Sequence, residues 1–213
     1  MRIAMIGSGY VGLVSGACLA DFGHHVVCVD KDKDKIAALD RAAKRRCSGP
    51  VSTTSLPVTR ATGGLPSPAI SQTSVALAQA VFIAVGTPSR RGDGHADLSY
   101  VYAAAREIAA AIDGFTVIIT KSTVPVGTGE EVARIIHETR PDADVAIVSN
   151  SEFLREGAAI QDFKHPDRIV VGFVVSRSIQ PRGLDSADHR LTAGMHLDVL
   201  HEQLSVDPCR GKG

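Results

Sequence analysis

The sequence predicts an α/β fold built on a doubly wound parallel sheet. Two observations carry this. Short apolar runs of strand length alternate with stretches of helical period over residues 1–40 and again over 75–172. At the N-terminus, a strand, a glycine-rich turn, a helix, a second strand and an acidic residue follow each other without a break. The second is the signature of a Rossmann-type dinucleotide-binding unit.

Arg2-Ile3-Ala4-Met5-Ile6 is the first strand, and it runs into Gly7-Ser8-Gly9-Tyr10-Val11-Gly12. Gly7 permits the tight turn, Gly9 lets the backbone approach a pyrophosphate, and Gly12 lets the helix lie close to the sheet. The helix continues through Leu13, Ala17 and Leu19, and its N-terminus offers unpaired N–H groups to the phosphates. Val26-Val27-Cys28-Val29 is the second strand and ends on Asp30, 23 positions after the first glycine. Asp30 would accept hydrogen bonds from the adenosine ribose and repel a 2′-phosphate. That favours NAD over NADP, against the pull of Lys31 beside it. Ile36 and Leu39 suggest a second helix carrying Lys35 on the adenosine side.

From Cys47 to Ser74 the pattern breaks. Eighteen of these 28 residues are Ser, Thr, Pro or Gly, with none acidic or aromatic, and Pro50, Pro57, Pro66 and Pro68 exclude a regular element. An irregular insert at about 44–74 is expected, unusual inside a packed domain. Regularity returns at Val75. Val81 to Val85 is a buried strand ending at Gly86-Thr87-Pro88; Val101, Ala105, Ile108 and Ile112 recur at helical spacing. Thr116 to Thr120 is a strand leading into Lys121-Ser122-Thr123. Val132, Ile135 and Ile136 mark a helix, Val145 to Val148 a strand, and Ile169-Val170-Val171 the last strand. Loops after parallel strands collect at one sheet edge, so Thr87, Thr123 and the segment Glu152 to Glu156 should converge with the glycine turn.

Composition narrows the function classes. Twenty-three basic residues balance twenty-three acidic ones, which argues against nucleic-acid or anionic-membrane partners. No apolar run reaches the length of a membrane span, and Ile3 to Ile6 is too short for a signal peptide. Cys18, Cys28, Cys47 and Cys209 lack metal-ligand spacing, so no metal is expected and a reducing cytoplasm is the default setting. At 213 residues the chain suffices for one α/β domain with an added element.

Five motifs in order, namely the glycine unit, Gly86-Thr87-Pro88, Lys121 to Thr128, Glu152-Phe153-Leu154-Arg155-Glu156-Gly157 and Asp167 to Gly172, resemble the NAD-binding domain of UDP-glucose 6-dehydrogenases. The resemblance covers 1–40 and 75–172. It implies two NAD-dependent hydride transfers that oxidise the C6 alcohol of UDP-glucose, or a related UDP-hexose, through a cysteine-bound intermediate. It further implies that Val11, Asp30, Lys35, Thr87, Thr123 and Glu156 contact NAD. Glu152, Phe153, Leu154, Arg155 and Glu156 would hold the sugar nucleotide, with Glu152 as general base for the hydrolytic water and Thr123 positioning that water. Taken on the residues alone, Glu152 and Glu156 read as a solvated pair at a helix start.

Three departures stand against the family pattern. Ser151 replaces a customary proline, the 47–74 segment replaces a helix and a strand, and Phe173 to Gly213 does not continue the family's connecting helix. The expected organisation is therefore an NAD-binding domain at 1–172 and a divergent tail at 173–213. The central and UDP-binding domains and the catalytic cysteine are missing; Cys209, in Asp207-Pro208-Cys209-Arg210, does not match the family's cysteine motif. Out-of-frame stretches at about 44–74 and beyond 172 would account for both anomalies, and translating the alternative frames of the locus would then recover the missing motifs. Two other readings are a non-catalytic NAD-binding module acting with a homodimer mate or a partner chain, and a decayed gene product without a stable fold.

Overall fold

The five apolar runs read as strands between Arg2 and Val148 pair into one sheet. A computed structural model of the chain describes residues 1–32, 34–38, 72–90, 94–151, 154–155, 157–166 and 169–174. The strands are β1 (Arg2–Ile6), β2 (His25–Val29), β3 (Ala80–Ile83), β4 (Thr116–Thr120), β5 (Val145–Ser149) and β6 (Gly172–Val174). Their order is β2-β1-β3-β4-β5-β6. The first five are parallel, as the alternation with helices requires, and β6 runs antiparallel to β5 at the edge.

Register sorts the side chains onto two faces. Ile3 and Met5 lie opposite Val26 and Cys28 on one side and Ala80 and Phe82 on the other. This row continues through Ile119 to Val148. It is covered by α1 (Tyr10–Asp21), whose buried positions are mostly small: Gly12, Ser15, Gly16, Ala17, Cys18, Leu19 and Ala20. A Cβ on Gly16 would stand only 3.3 Å from the Cys28 Sγ, so the absence of a side chain there sets how closely α1 lies on β2. The opposite row, Ala4, Ile6, Val81, Ile83, Ile118 and Ile147, packs with Val101, Ala105 and Ile108 of α3 (Ser99–Ala111) and Val132, Ile135 and Ile136 of α4 (Thr128–Thr139). The short α2 (Gln72–Ala76) adds the fully buried Val75 to this layer. Each such aliphatic side chain contributes about 1.5–3 kcal/mol by leaving water. The core is therefore aliphatic on both faces, with Phe82 its buried aromatic among the described residues.

On the first face, α5 (Ala159–Lys164) docks against the C-terminal end of α1. Phe163 stacks on Phe22 with ring centroids 6.4 Å apart, and Lys164 pairs with Asp21.

Three expectations need correction. The last strand is Gly172–Val174, and Ile169 and Val170 precede it with about half of their surface exposed. The Asn150 amide donates to the Val170 carbonyl at 2.9 Å, which ties that stretch down as a loop. Regular structure resumes at Gln72 rather than Val75. The third strand stops at Ile83; Ala84 still donates its N–H to the Ile6 carbonyl at 2.8 Å, and its own carbonyl lies beside Gly7. Residues 34–38 are helical and include Lys35 as expected, while Leu39, the remainder of the 44–74 insert to position 71, and 175–213 lie outside the described residues.

Candidate dinucleotide-binding site

The strand order reverses direction between β1 and β3, and the loops at their C-terminal ends form the floor of the candidate site. Gly7 leaves β1 with φ 102°, a left-handed conformation natural to glycine, and its N–H donates to the Val29 carbonyl at 2.8 Å. A Cβ at Gly7 would come within 2.6 Å of the Ala84 carbonyl oxygen, and one at Gly12 would overlap the Gly7 carbonyl oxygen. Gly9 differs: nothing in the protein lies within 4 Å of where its Cβ would be. It is also the N-cap of α1, with no side-chain cap and no acidic residue in the first turn. The helix therefore presents its first N–H groups uncapped by any side chain.

Asp30 closes one end of this turn. Its Oδ2 accepts from the Ser8 backbone N–H at 2.7 Å and from the Ser8 hydroxyl at 2.6 Å, and its Oδ1 accepts from the Asp32 N–H at 2.9 Å. Partial burial alone would raise its carboxyl; the Ser8 hydroxyl, the amides of Asp32 and Ser8 and the Lys35 charge together hold it below the usual carboxylate range. Lys35 sits 3.9 Å from Asp32, and Lys31 pairs with Glu107 of α3 at 2.7 Å.

The loops after β3, β4 and β5 are tied to one another. The Lys121 N–H donates to the Ile83 carbonyl at 2.9 Å, and the Ser122 hydroxyl to the Val85 carbonyl at 2.7 Å. Thr87 Oγ1 reaches the Thr123 carbonyl at 3.4 Å, so these two expected site residues do meet. The Asn150 N–H donates to the Thr120 carbonyl at 2.9 Å, joining the loop after β5 to that after β4. Across the crevice, the Tyr10 hydroxyl donates to the Arg155 carbonyl at 3.3 Å, linking α1 to the segment that holds Leu154 and Arg155. The Arg155 guanidinium itself grips Asp162 through Nη2 to Oδ1 at 2.6 Å and Nε to Oδ2 at 3.1 Å. Val11 and Leu154 are half-buried along this rim. Glu152, Phe153 and Glu156 lie outside the described residues.

Some residues take roles that the motifs around them do not reveal. Ser8 fills the variable position of the glycine turn, yet it is the clamp on Asp30. Lys121 is buried, donates to Asn150 Oδ1 at 3.0 Å and stands 5.3 Å over the Phe163 ring, a cation–π contact that joins β4, β5 and α5 under the loops. Cys18 and Cys28 are free thiols inside the core. Burial raises Cys18 and pushes Cys28 up to about 11. Among the described residues no group of three or more His, Cys, Asp or Glu could hold a metal, and no helix is long and apolar enough to cross a membrane.

The sequence profile of the UDP-glucose/GDP-mannose dehydrogenase family, NAD binding domain, matches residues 1–182. The chain belongs to that family. The profile match continues ten residues past Gly172, where the resemblance was expected to end, and its bounds enclose 44–74. Among members of the UDP-glucose/GDP-mannose dehydrogenase family, a UDP-glucose 6-dehydrogenase of Rhizobium meliloti (strain 1021) is 66% identical over 172 residues, covering 81% of this chain and 39% of that protein. One from Pseudomonas aeruginosa is 42% identical over 176 residues, covering 81% of this chain and 38% of the other. Among solved structures, a UDP-glucose dehydrogenase from Pyrobaculum islandicum superposes with TM-score 0.66 at 37% identity, over 83% of this chain and 41% of that one. A GDP-mannose dehydrogenase from Pseudomonas aeruginosa, solved as a ternary complex, gives TM-score 0.67 at 30% identity over 93% of this chain and 44% of the other. The chain thus spans 39% and 38% of the length of these two curated relatives. NAD is the cofactor of the family domain to which it belongs.

Proposed function

We propose that this chain binds NAD across the β1–β3 crevice and serves as the nucleotide-binding part of a UDP-glucose 6-dehydrogenase. The observation that carries the reading is the glycine turn with Asp30 clamped to it: Gly7 and Gly12 are demanded by the protein's own backbone, whereas Gly9 is open to an incoming group. That combination fits a pyrophosphate above Gly9 and a ribose beside Asp30. Val11, Lys35, Thr87, Thr123 and Glu156 are the further proposed NAD contacts, the first four supported by their place around the crevice. When bound, NAD supplies the hydride acceptor.

The substrate is proposed to be UDP-glucose or a closely related UDP-hexose, held by Glu152 to Glu156 over the loop that Asn150 anchors. Glu152 would take the proton of the hydrolytic water, with Thr123 orienting that water. The covalent step needs a thiolate. Neither Cys18 nor Cys28 can supply it, since both are buried and both thiols are raised by that burial. Completing the oxidation therefore requires a thiol other than these two. A second reading is a module without catalysis of its own that works with a partner chain supplying the sugar-binding half. The two free thiols suit a reducing cytoplasm, which is where we place the protein.

Calorimetric titration with NAD tests the binding reading: saturable binding in the wild type, strongly weakened in Asp30→Ala, is expected. Absence of saturable binding by a folded wild type overturns it. Supplied with NAD and UDP-glucose, the chain alone is expected to release no UDP-glucuronate; product release would place the missing thiol within the chain.

A further inference from the structure

Two opposite charges adjoin at the adenosine end of the site. A carboxylate at Asp30 rejects a 2′-phosphate, and an ammonium one residue later would attract it; at short range these effects are comparable. The fold separates them. Asp30 is drawn into the glycine turn by the two Ser8 bonds at 2.7 and 2.6 Å. Lys31 is drawn to α3, where its Nζ meets Glu107 Oε1 at 2.7 Å. Glu107 is the more enclosed partner, with its side chain 25% exposed against 64% for Lys31, so the carboxylate anchors the mobile ammonium rather than the reverse. Lys33 lies outside the described residues, and Lys35 has its own partner in Asp32. Among the described residues that follow Asp30, Lys31 and Lys35 thus each have an acidic partner within this chain.

We propose that Glu107 is a specificity-determining residue for the dinucleotide: by holding Lys31 on α3, it denies that ammonium to a 2′-phosphate and preserves the preference set by Asp30. The proposal rests on the NAD-binding reading above. Glu107 reaches the cofactor only through Lys31, so it is a positioning residue in this role, and its signature is a change in cofactor choice rather than in stability.

The test is a double-mutant cycle read as dissociation constants for NAD and NADP, at low ionic strength so that the exposed pair is not screened. In Glu107→Gln, NADP should bind about two- to fivefold tighter, the scale of one exposed ion pair, with NAD unchanged. In Lys31→Gln/Glu107→Gln the gain should vanish, which separates release of Lys31 from the general effect of removing a negative charge. Glu107→Asp, which keeps the charge on a shorter arm, should fall between wild type and Glu107→Gln and serves if the latter folds poorly. An unchanged NADP-to-NAD ratio in Glu107→Gln, or a gain that persists without Lys31, overturns the proposal while leaving NAD binding intact. A folded wild type that binds no NAD overturns the binding reading and this one together.

Discussion

Gly9 and Gly12 are three residues apart in one turn, and the same substitution should separate them. Gly12→Ala places a Cβ against the Gly7 carbonyl, a backbone atom that cannot yield; a loss of about 1–3 kcal/mol in urea unfolding is expected. Gly9→Ala meets nothing and has ordinary φ of −72°, so stability should stay within about 0.5 kcal/mol. Its NAD affinity should nevertheless fall about tenfold, roughly 1.4 kcal/mol of binding energy. Asp30 makes a second prediction at this scale. Its folded carboxyl lies below the ordinary range, so the stability it contributes is complete above about pH 4 and disappears as pH falls through the lowered value. Melts of wild type and Asp30→Asn should therefore differ at neutral pH and converge in acid. The glycines and Asp30 were legible because each has a fixed spacing in the turn. Ser8 was not, since its role depends on where β2 delivers Asp30 in space.

At the scale of elements, strands with a buried row announce themselves by composition. Thr116–Thr120 was read with both ends right because it is apolar and enclosed by neighbours on each side. The edge strand escaped. Ile169-Val170-Val171 has the apolar content of a strand, but pairing is decided by the register Ser149↔Gly172 and by the Asn150 amide bond to Val170, neither visible in a single segment. The α5 helix is short and owes its place to tertiary contacts. Phe163→Ala removes both the stack on Phe22 and the ring beneath Lys121, and about 1–2 kcal/mol should be lost. Phe163→Leu should recover part of the packing but not the cation–π contribution, a difference measurable from the urea midpoints.

For the molecule as a whole, NAD binding should stabilise the native state by mass action. At a hundred times the dissociation constant the gain is about 2.7 kcal/mol, raising the melting temperature by about 5–10 °C. An unmoved, cooperative melt would mean a folded domain with no affinity for the cofactor. Features joining distant parts of the chain, such as Lys31 with Glu107, Tyr10 with Arg155 and Lys121 with Phe163, left no trace in the sequence because no local pattern requires them. The convergence of Thr87 and Thr123 was legible for the opposite reason: in a parallel sheet, chain direction alone assigns both loops to one edge.

Cys18, on the buried face of α1, and Cys28, on β2, are sealed from solvent. They make the fold its own clock. Alkylation of either thiol must wait for the α1–β2 layer to open, so the labelling rate of the two peptides, followed by mass spectrometry, reports how often that layer breathes. A ligand seated on the turn above would slow the clock, even in a chain that turns over no substrate.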